Sequence, residues 1–236
     1  QFDLAEQNYQ TSLSLQPRYW RALMQMAKLL AVSGRYTEAI PYYQTVTELM
    51  PDSDLAFNNL GAVYSMQGDF ESASVAWARS LELAPSAITL ANMATNLYLL
   101  RRFDDALSLY HQAVEYAPES IELWGNLGDT YRFATDGAEM VAPMYQRAIS
   151  LGEQQLEINP SDADSTAMLA HYYAALGDRE RALEKIAAAR QVPHDSFYVE
   201  YSIATAFVSL GEPQRALKAL GAAIEIGFPR HVAAAD

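Results

Sequence analysis

Three asparagines lie at an almost constant interval along the chain: Asn59, Asn92 and Asn126 are 33 and 34 residues apart. An asparagine amide both donates and accepts hydrogen bonds, so amides repeated at a regular rise could pair with the main chain of an extended peptide. The alternative is that asparagine is common at such a position for solubility and local hydrogen bonding. The spacing therefore indicates a candidate peptide-binding row, provided that regular elements carry it.

Eight further side chains are expected to share a surface with this row. Met66, Tyr98 and Phe133 could form pockets for the side chains of a bound peptide, although packing between neighbouring elements is an alternative role. Lys28 and Arg132 could meet an acidic group, and plain solvation is their alternative. The eight candidate residues are Lys28, Asn58, Met66, Thr95, Tyr98, Asp129, Arg132 and Phe133.

Catalytic and metal-binding interpretations have little support in the sequence. The four histidines form no HExxH pattern and no i, i+4 pair, and cysteine is absent. The motifs GxxxxGK[ST], GxGxxG and GxSxG do not occur. We expect His171, two turns from Asp164, to be a solvated polar residue. The sequence thus predicts no enzymatic activity, no cofactor and no metal site.

The composition excludes several classes of partner. The chain has 16 Lys+Arg against 29 Asp+Glu, a formal net charge of −13, and half of its residues are hydrophobic. Nucleic-acid affinity depends on a basic surface that this chain lacks, and anionic lipid would repel it. No apolar run approaches the roughly 20 residues of a membrane span. We therefore expect a folded domain with a protein partner, in a compartment, cytoplasmic or periplasmic, that the sequence leaves open.

Six-residue segments recur and reveal an internal repeat. They are GRYTEA (34–39), GDFESA (68–73), RRFDDA (101–106), GDRERA (177–182) and GEPQRA (211–216). Their starting residues differ by 34, 33, 76 and 34, and the interval of 76 contains one further repeat. A period of this length is typical of solenoids, in which a repeated unit buries its apolar face only against its neighbours.

The repeat resembles the tetratricopeptide repeat, a helix–turn–helix unit of 34 residues. Phe57, Leu60, Gly61, Tyr64 and Pro85 all occupy positions of the family pattern. The resemblance implies an all-α, right-handed α-solenoid of about 13 helices. It places a partial repeat at 1–19 and fuller repeats at 20–53, 54–86, 87–120, 121–162, 163–196 and 197–230, in a single domain over residues 1–236. Because the first repeat is partial, we expect the chain to be excised from a longer protein.

The same resemblance places the candidate site and the turns. In the family, the first helices of successive repeats line a concave groove, which would carry the asparagine row and its eight neighbours. Gly34, Gly68, Gly177 and Gly211 fall where the first helix should end in a left-handed turn. Arg101 occupies the equivalent position, so we expect a strained or differently closed turn there.

One repeat departs from the pattern. Ala148 and Pro160 are twelve positions apart, whereas the family frame expects about five. We therefore expect a loop at 134–143 and a lengthened second helix over 145–159, with a bend at Gly152. The extra length is either a tolerated variation or a shelf for a partner.

Two functional hypotheses follow. The first is a non-enzymatic scaffold that binds a protein or an extended peptide in the groove formed by the first helices. The second rests on the last third of the chain, which resembles repeat regions of bacterial signalling proteins: serine/threonine kinases, adenylate cyclases and winged-helix regulators. It predicts a regulatory domain of a larger protein, or one that self-associates into a homo-oligomer.

Overall fold

The computed structural model describes residues 2–229, so residue 1 of the first predicted repeat and residue 230 of the last lie outside the described residues. Over these residues the chain forms α-helices and no strand, which confirms the all-α prediction and the number of helices. The helices are α1 Phe2–Leu15, α2 Trp20–Val32, α3 Tyr36–Leu49, α4 Asp54–Gln67, α5 Phe70–Leu83, α6 Ala87–Leu99, α7 Phe103–Tyr116, α8 Ile121–Tyr131, α9 Ala138–Ile158, α10 Ala163–Ala175, α11 Arg179–Gln191, α12 Phe197–Ser209 and α13 Pro213–Ile226.

The helices group into two compact units. Unit 1 is Gln1–Leu100 and holds α1 to α6, and unit 2 is Arg101–Asp236 and holds α7 to α13. We call α2, α4, α6, α8, α10 and α12 the first helices, because each opens one of the predicted repeats. The repeat boundaries and the single-domain organisation stay predictions.

Short polar side chains determine where many of the helices begin. In each case the residue before the helix accepts a hydrogen bond from the main-chain N–H three residues later, which satisfies one of the unpaired donors of the first turn. Each such cap stabilises its helix by about 1 kcal/mol. The caps are Ser53, Asp69, Ser86, Ser120, Asp162 and Asp178.

Left-handed residues close the turns after four of the first helices. Gly34, Gly68, Gly177 and Gly211 have φ between 71° and 91°, as the sequence predicts. Arg101, just before α7, has φ 59°. Of the two alternatives expected at Arg101, the strained turn is the one observed, because the turn closes in the same left-handed conformation with a residue that carries a Cβ.

Replacing Arg101 by glycine is expected to stabilise the protein. The left-handed conformation costs a non-glycine residue roughly 1–2 kcal/mol, and glycine loses about 0.5–1 kcal/mol through the entropy of the unfolded chain, so the net gain should be about 0.5–1 kcal/mol. Urea unfolding of Arg101→Gly measures this gain. The neighbouring Arg102→Gly is the matched control, and it should destabilise, since Arg102 Nε donates to Asp105 at 2.7 Å. A loss of stability in Arg101→Gly would contradict the assignment of strain.

Small residues allow paired helices to approach closely in both units. A Cβ at Gly61 of α4 would lie 2.7 Å from Trp77 Nε1 of α5. The indole N–H of Trp77 donates a hydrogen bond to the main-chain carbonyl of Asn58 at 3.1 Å. In unit 2, a Cβ at Gly128 of α8 would lie 2.7 Å from Tyr145 Cε1 of α9. Trp77 and Tyr145 are buried. The aromatic rings therefore occupy space that a side chain on the facing helix would otherwise fill.

Helix α9 is the long helix that the sequence predicts, with one correction. It has 21 residues, against 14 in α3, α5, α7 and α13. It begins at Ala138, within the segment 134–143 expected to be a loop, and Pro143 lies inside it. Gly152 makes a close contact with α10, since a Cβ there would lie 2.7 Å from Leu169 Cδ2, and the bend expected at Gly152 stays a prediction.

Candidate functional site

The asparagines of unit 1 form a cluster that the sequence predicts in part. We call Asn58, Asn59 and Asn92 the amide cluster. Asn92 Nδ2 donates to Asn58 Oδ1 at 3.3 Å, whereas Asn59 Nδ2 lies 3.8 Å from Met24 Sδ on α2. Asn92 is thus joined to Asn58 rather than to Asn59. This bond uses one of the two N–H groups of Asn92, so the other N–H and the carbonyl oxygen can serve an external group.

A chain of hydroxyl groups behind the amide cluster fixes its orientation. Thr89 Oγ1 donates to Asn58 Oδ1 at 3.3 Å, and Ser86 Oγ donates to Thr89 Oγ1 at 3.0 Å. Thr89 is buried. The sequence analysis did not identify Thr89. The only indication of its role in the sequence is that it lies one turn after the cap residue Ser86. An amide held in this way loses less rotational freedom when a ligand binds.

Exposed apolar side chains flank the amide cluster. Leu55 and Ile88 are the second residues of α4 and α6, and they are 55% and 68% exposed. Of the other candidate residues in this unit, Lys28 and Thr95 are exposed, and Met66 and Tyr98 are half-buried. Thr95 Oγ1 donates to the carbonyl of Ala91 at 3.0 Å. This side of unit 1 therefore combines oriented amides with apolar surface and the cation of Lys28.

In unit 2, Asp129 is the centre of a polar network. Its carboxylate accepts a hydrogen bond from Tyr145 Oη at 2.7 Å and lies 2.9 Å from His171 Nε2 and 3.9 Å from Arg132. The expectation that His171 is solvated is wrong, because α8, α9 and α10 pack together around it and leave it 7% exposed. Asp164 instead accepts from Ser196 Oγ at 2.7 Å.

The network favours an ionised Asp129. Burial alone would raise the pKa of Asp129, but His171, the Tyr145 hydroxyl and Arg132 outweigh it and lower that pKa below its ordinary value. Burial and the adjacent Asp129 charge raise the pKa of Tyr145, so its phenol stays protonated and donates. The remaining ring nitrogen of His171, Nδ1, is buried and has no hydrogen-bond partner among the described residues.

The other candidate residues of unit 2 lie at the end of α8. Asn126 is half-buried, and its main-chain carbonyl accepts a hydrogen bond from Thr130 Oγ1 at 2.6 Å. Phe133 is 51% exposed and stacks on Phe103 with ring centroids 5.3 Å apart. Together with Arg101, the two rings line a surface cleft of about 340 Å³. That Asn126 continues the row of Asn59 and Asn92 stays a prediction, since it belongs to the other unit.

Three side chains of unit 2 form a second polar surface that the sequence analysis did not assign to the site. Glu122, Asp164 and Tyr198 are the second residues of α8, α10 and α12, and we call them the acidic face. Partial burial raises the pKa of Glu122. Burial, followed by the charges of Glu122 and Asp164, raises the pKa of Tyr198. Helix α10 contacts both α8 and α12, so these equivalent positions of neighbouring first helices share one surface.

The structure also bears on metal sites and on membrane-spanning helices. Among residues 2–229, no group of three or more His, Asp or Glu side chains is arranged to hold a metal ion. None of the helices in this described part of the chain is both long and apolar enough to cross a bilayer.

Two segments of the chain match family models described as tetratricopeptide repeat. The first covers residues 21–86, which hold α2 to α5, and the second covers residues 92–134. Residues 21–86 and 92–134 thus contain tetratricopeptide repeats. The helix pairs with small residues at their contacts and glycine turns between them are the structural form of these repeats.

One relative resembles this chain in sequence over three quarters of its length. It is 25% identical over 177 residues to the BBSome complex member BBS4 of Bos taurus, a match that covers 75% of this chain and 33% of the bovine protein. The chain thus spans about a third of the length of this relative.

Two solved structures show the same fold. A tetratricopeptide repeat protein from Parabacteroides merdae superposes with a TM-score of 0.68 at 15% identity, over 98% of this chain and 89% of that one. YrrB, described as a tetratricopeptide repeat protein with an unusual peptide-binding site, superposes with a TM-score of 0.50 at 20% identity, over 89% of this chain and 96% of that one. At these identities the likeness is one of fold, a helical solenoid.

Proposed function

We propose that this chain is a non-enzymatic scaffold that binds a protein partner through its first helices, which contact an extended peptide segment of that partner. Tetratricopeptide repeats are consistent with protein–protein interaction, and both matched segments lie within residues 21–134. YrrB is described as having an unusual peptide-binding site, which supports a peptide as the ligand. The partner's identity and the compartment are not part of the proposal.

The observation that carries the proposal is the oriented amide cluster beside exposed apolar side chains. Asn92 is held by Asn58 and keeps one N–H and its carbonyl oxygen for a peptide main chain. Leu55 and Ile88 offer apolar contact for peptide side chains. The remaining residues that we assign to the binding surface are Lys28, Asn59, Met66, Thr95, Tyr98, Asn126, Asp129, Arg132 and Phe133.

Removing two of the amides should weaken peptide binding. Peptides selected from a random display library on the wild-type chain would be measured by calorimetry against Asn59→Ala/Asn92→Ala. Each hydrogen bond contributes about 1 kcal/mol to the free energy of binding, so the loss of two should raise Kd by about tenfold or more.

The matched control for this experiment is Asn8→Ala/Asn159→Ala, which removes two exposed asparagines outside the first helices. It should leave Kd within about twofold. Both variants are first compared with the wild type by circular dichroism and melting temperature, because Asn92→Ala also breaks the bond to Asn58. Equal binding by the two double variants would contradict the role of the amide cluster.

The alternative hypothesis is a regulatory or self-associating domain of a larger bacterial signalling protein. It still rests on the sequence resemblance of the last third of the chain. Sedimentation equilibrium over a range of protein concentrations separates the two hypotheses, since only self-association makes the mass depend on concentration.

A further inference from the structure

The first helices of unit 2 carry negative charge without matching positive charge. Helices α8, α10 and α12 contain no Lys or Arg, and their acidic residues are Glu122, Asp129, Asp164 and Glu200. Two of these are paired with a cation internally: Asp129 with Arg132 at 3.9 Å, and Glu200 with Arg190 at 2.7 Å. Glu122 and Asp164 have no salt-bridge partner among the described residues. The unmatched charge is thus confined to the acidic face.

An exposed aromatic ring stands beside the two unmatched carboxylates. Tyr198 is 55% exposed, and its ring centroid lies 4.3 Å from that of Phe197. Phe197 packs in turn against Phe228, with ring centroids 5.6 Å apart. The ring of Tyr198 therefore packs against Phe197 and keeps more than half of its surface exposed. The face of a tyrosine ring attracts a guanidinium or ammonium group, most strongly where the cation also meets a carboxylate.

The equivalent residues of unit 1 have a different chemistry. The second residues of α2, α4 and α6 are Arg21, Leu55 and Ile88, one basic and two apolar. At the same place in the repeat, unit 2 has two carboxylates and a phenol. The acidity of this face is therefore particular to unit 2 and is not a feature of every repeat.

From this charge pattern we propose that the acidic face of unit 2 binds a basic segment of a protein partner, with Lys or Arg side chains paired to Glu122 and Asp164 and lying over the ring of Tyr198. This rests on the proposed function, since it names the chemistry of the segment that the first helices bind. The positive charge of a basic segment would complement the net charge of −13 of this chain. Long-range attraction between the two charges would also increase the rate of association.

Fluorescence anisotropy with a labelled hexalysine peptide tests the proposal, with labelled hexaglutamate as the probe of opposite charge. At about 0.15 M salt, Glu122→Gln/Asp164→Asn should raise the Kd for hexalysine about tenfold, as expected for the loss of two partly shielded charge pairs. Tyr198→Leu should raise it severalfold without changing net charge. Hexaglutamate should not bind any of the proteins measurably.

The control Glu157→Gln/Glu180→Gln removes two exposed carboxylates from α9 and α11 and changes net charge by the same amount. It should leave the Kd for hexalysine within about twofold. Equal weakening in the two double variants would overturn the proposal, because attraction would then come from overall charge. So would the absence of hexalysine binding to the wild type.

The library peptides of the previous experiment separate this inference from the proposed function. If they depend on Asn59 and Asn92, yet contain no excess of Lys and Arg and bind Glu122→Gln/Asp164→Asn normally, only the inference fails. If no library peptide binds, the proposed function fails as well.

Discussion

Gly125→Ala is expected to destabilise unit 2 by about 3 kcal/mol, at the upper end of what overpacking a core produces. A Cβ at this position of α8 would lie 2.0 Å from Tyr172 Oη and 2.2 Å from Tyr172 Cζ. Tyr172 is buried and stacks on Tyr145 with ring centroids 5.6 Å apart, so its ring cannot turn aside without displacing a second ring. Urea unfolding followed by circular dichroism measures the loss.

Two further variants control this experiment. Gly221→Ala places a methyl group on α13 where nothing lies within 4 Å, and it should stabilise by up to about 1 kcal/mol through helix propensity. Gly125→Ala/Tyr172→Leu removes the ring that the methyl group meets, so the double variant should lose less than the sum of the two single variants. Additive losses would show that the contact with Tyr172 is not the cause.

Asp129→Ala is expected to destabilise unit 2 by about 2–3 kcal/mol. The substitution leaves the Tyr145 hydroxyl and His171 Nε2 without an acceptor, and both residues are buried. Thermal and urea unfolding measure the effect. Asp195→Ala, at an exposed aspartate before α12, is the control and should change stability by less than about 0.5 kcal/mol.

The pH dependence of this effect has a definite sign. Because the pKa of Asp129 is lower in the folded protein than in the unfolded chain, ionised Asp129 stabilises the fold above about pH 4, and this contribution disappears as the pH falls through the folded-state value. The stability difference between wild type and Asp129→Asn should therefore be largest near neutral pH and shrink in acid. A difference that grows in acid would mean that Asp129 is protonated in the folded protein.

The helices and turns were predictable because each depends on residues close together in sequence. Gly34 and Gly68 mark left-handed turns by residue type alone, and a cap such as Ser53 acts on the next turn of its own helix. Arg101 was recognisable because it breaks the glycine pattern. The start of α9 was placed too late, since Pro143 was read as part of a loop although it lies inside the helix.

The side-chain networks were not predictable in the same way. Asp129, Tyr145 and His171 come from three helices, and no spacing in the sequence indicates that their polar atoms meet. The asparagine row was predictable as a set of equivalent positions, but the preference of Asn92 for Asn58 over Asn59 depends on side-chain rotation. The repeat pattern predicts which helix carries a residue and at which position, whereas side-chain packing determines which neighbour the residue contacts.

The carboxylate shared by Tyr145 and His171 also affects how this part of the chain opens. In most repeat arrays a unit interacts with its neighbour through apolar contact alone, so terminal units can fray one at a time. Here one acidic group on α8 holds a residue of α9 and a residue of α10, so detaching α10 breaks a polar bond that also orients the preceding pair. We therefore expect helices α8, α9 and α10 to open as one cooperative segment in local unfolding, with the amide hydrogens of all three exchanging together.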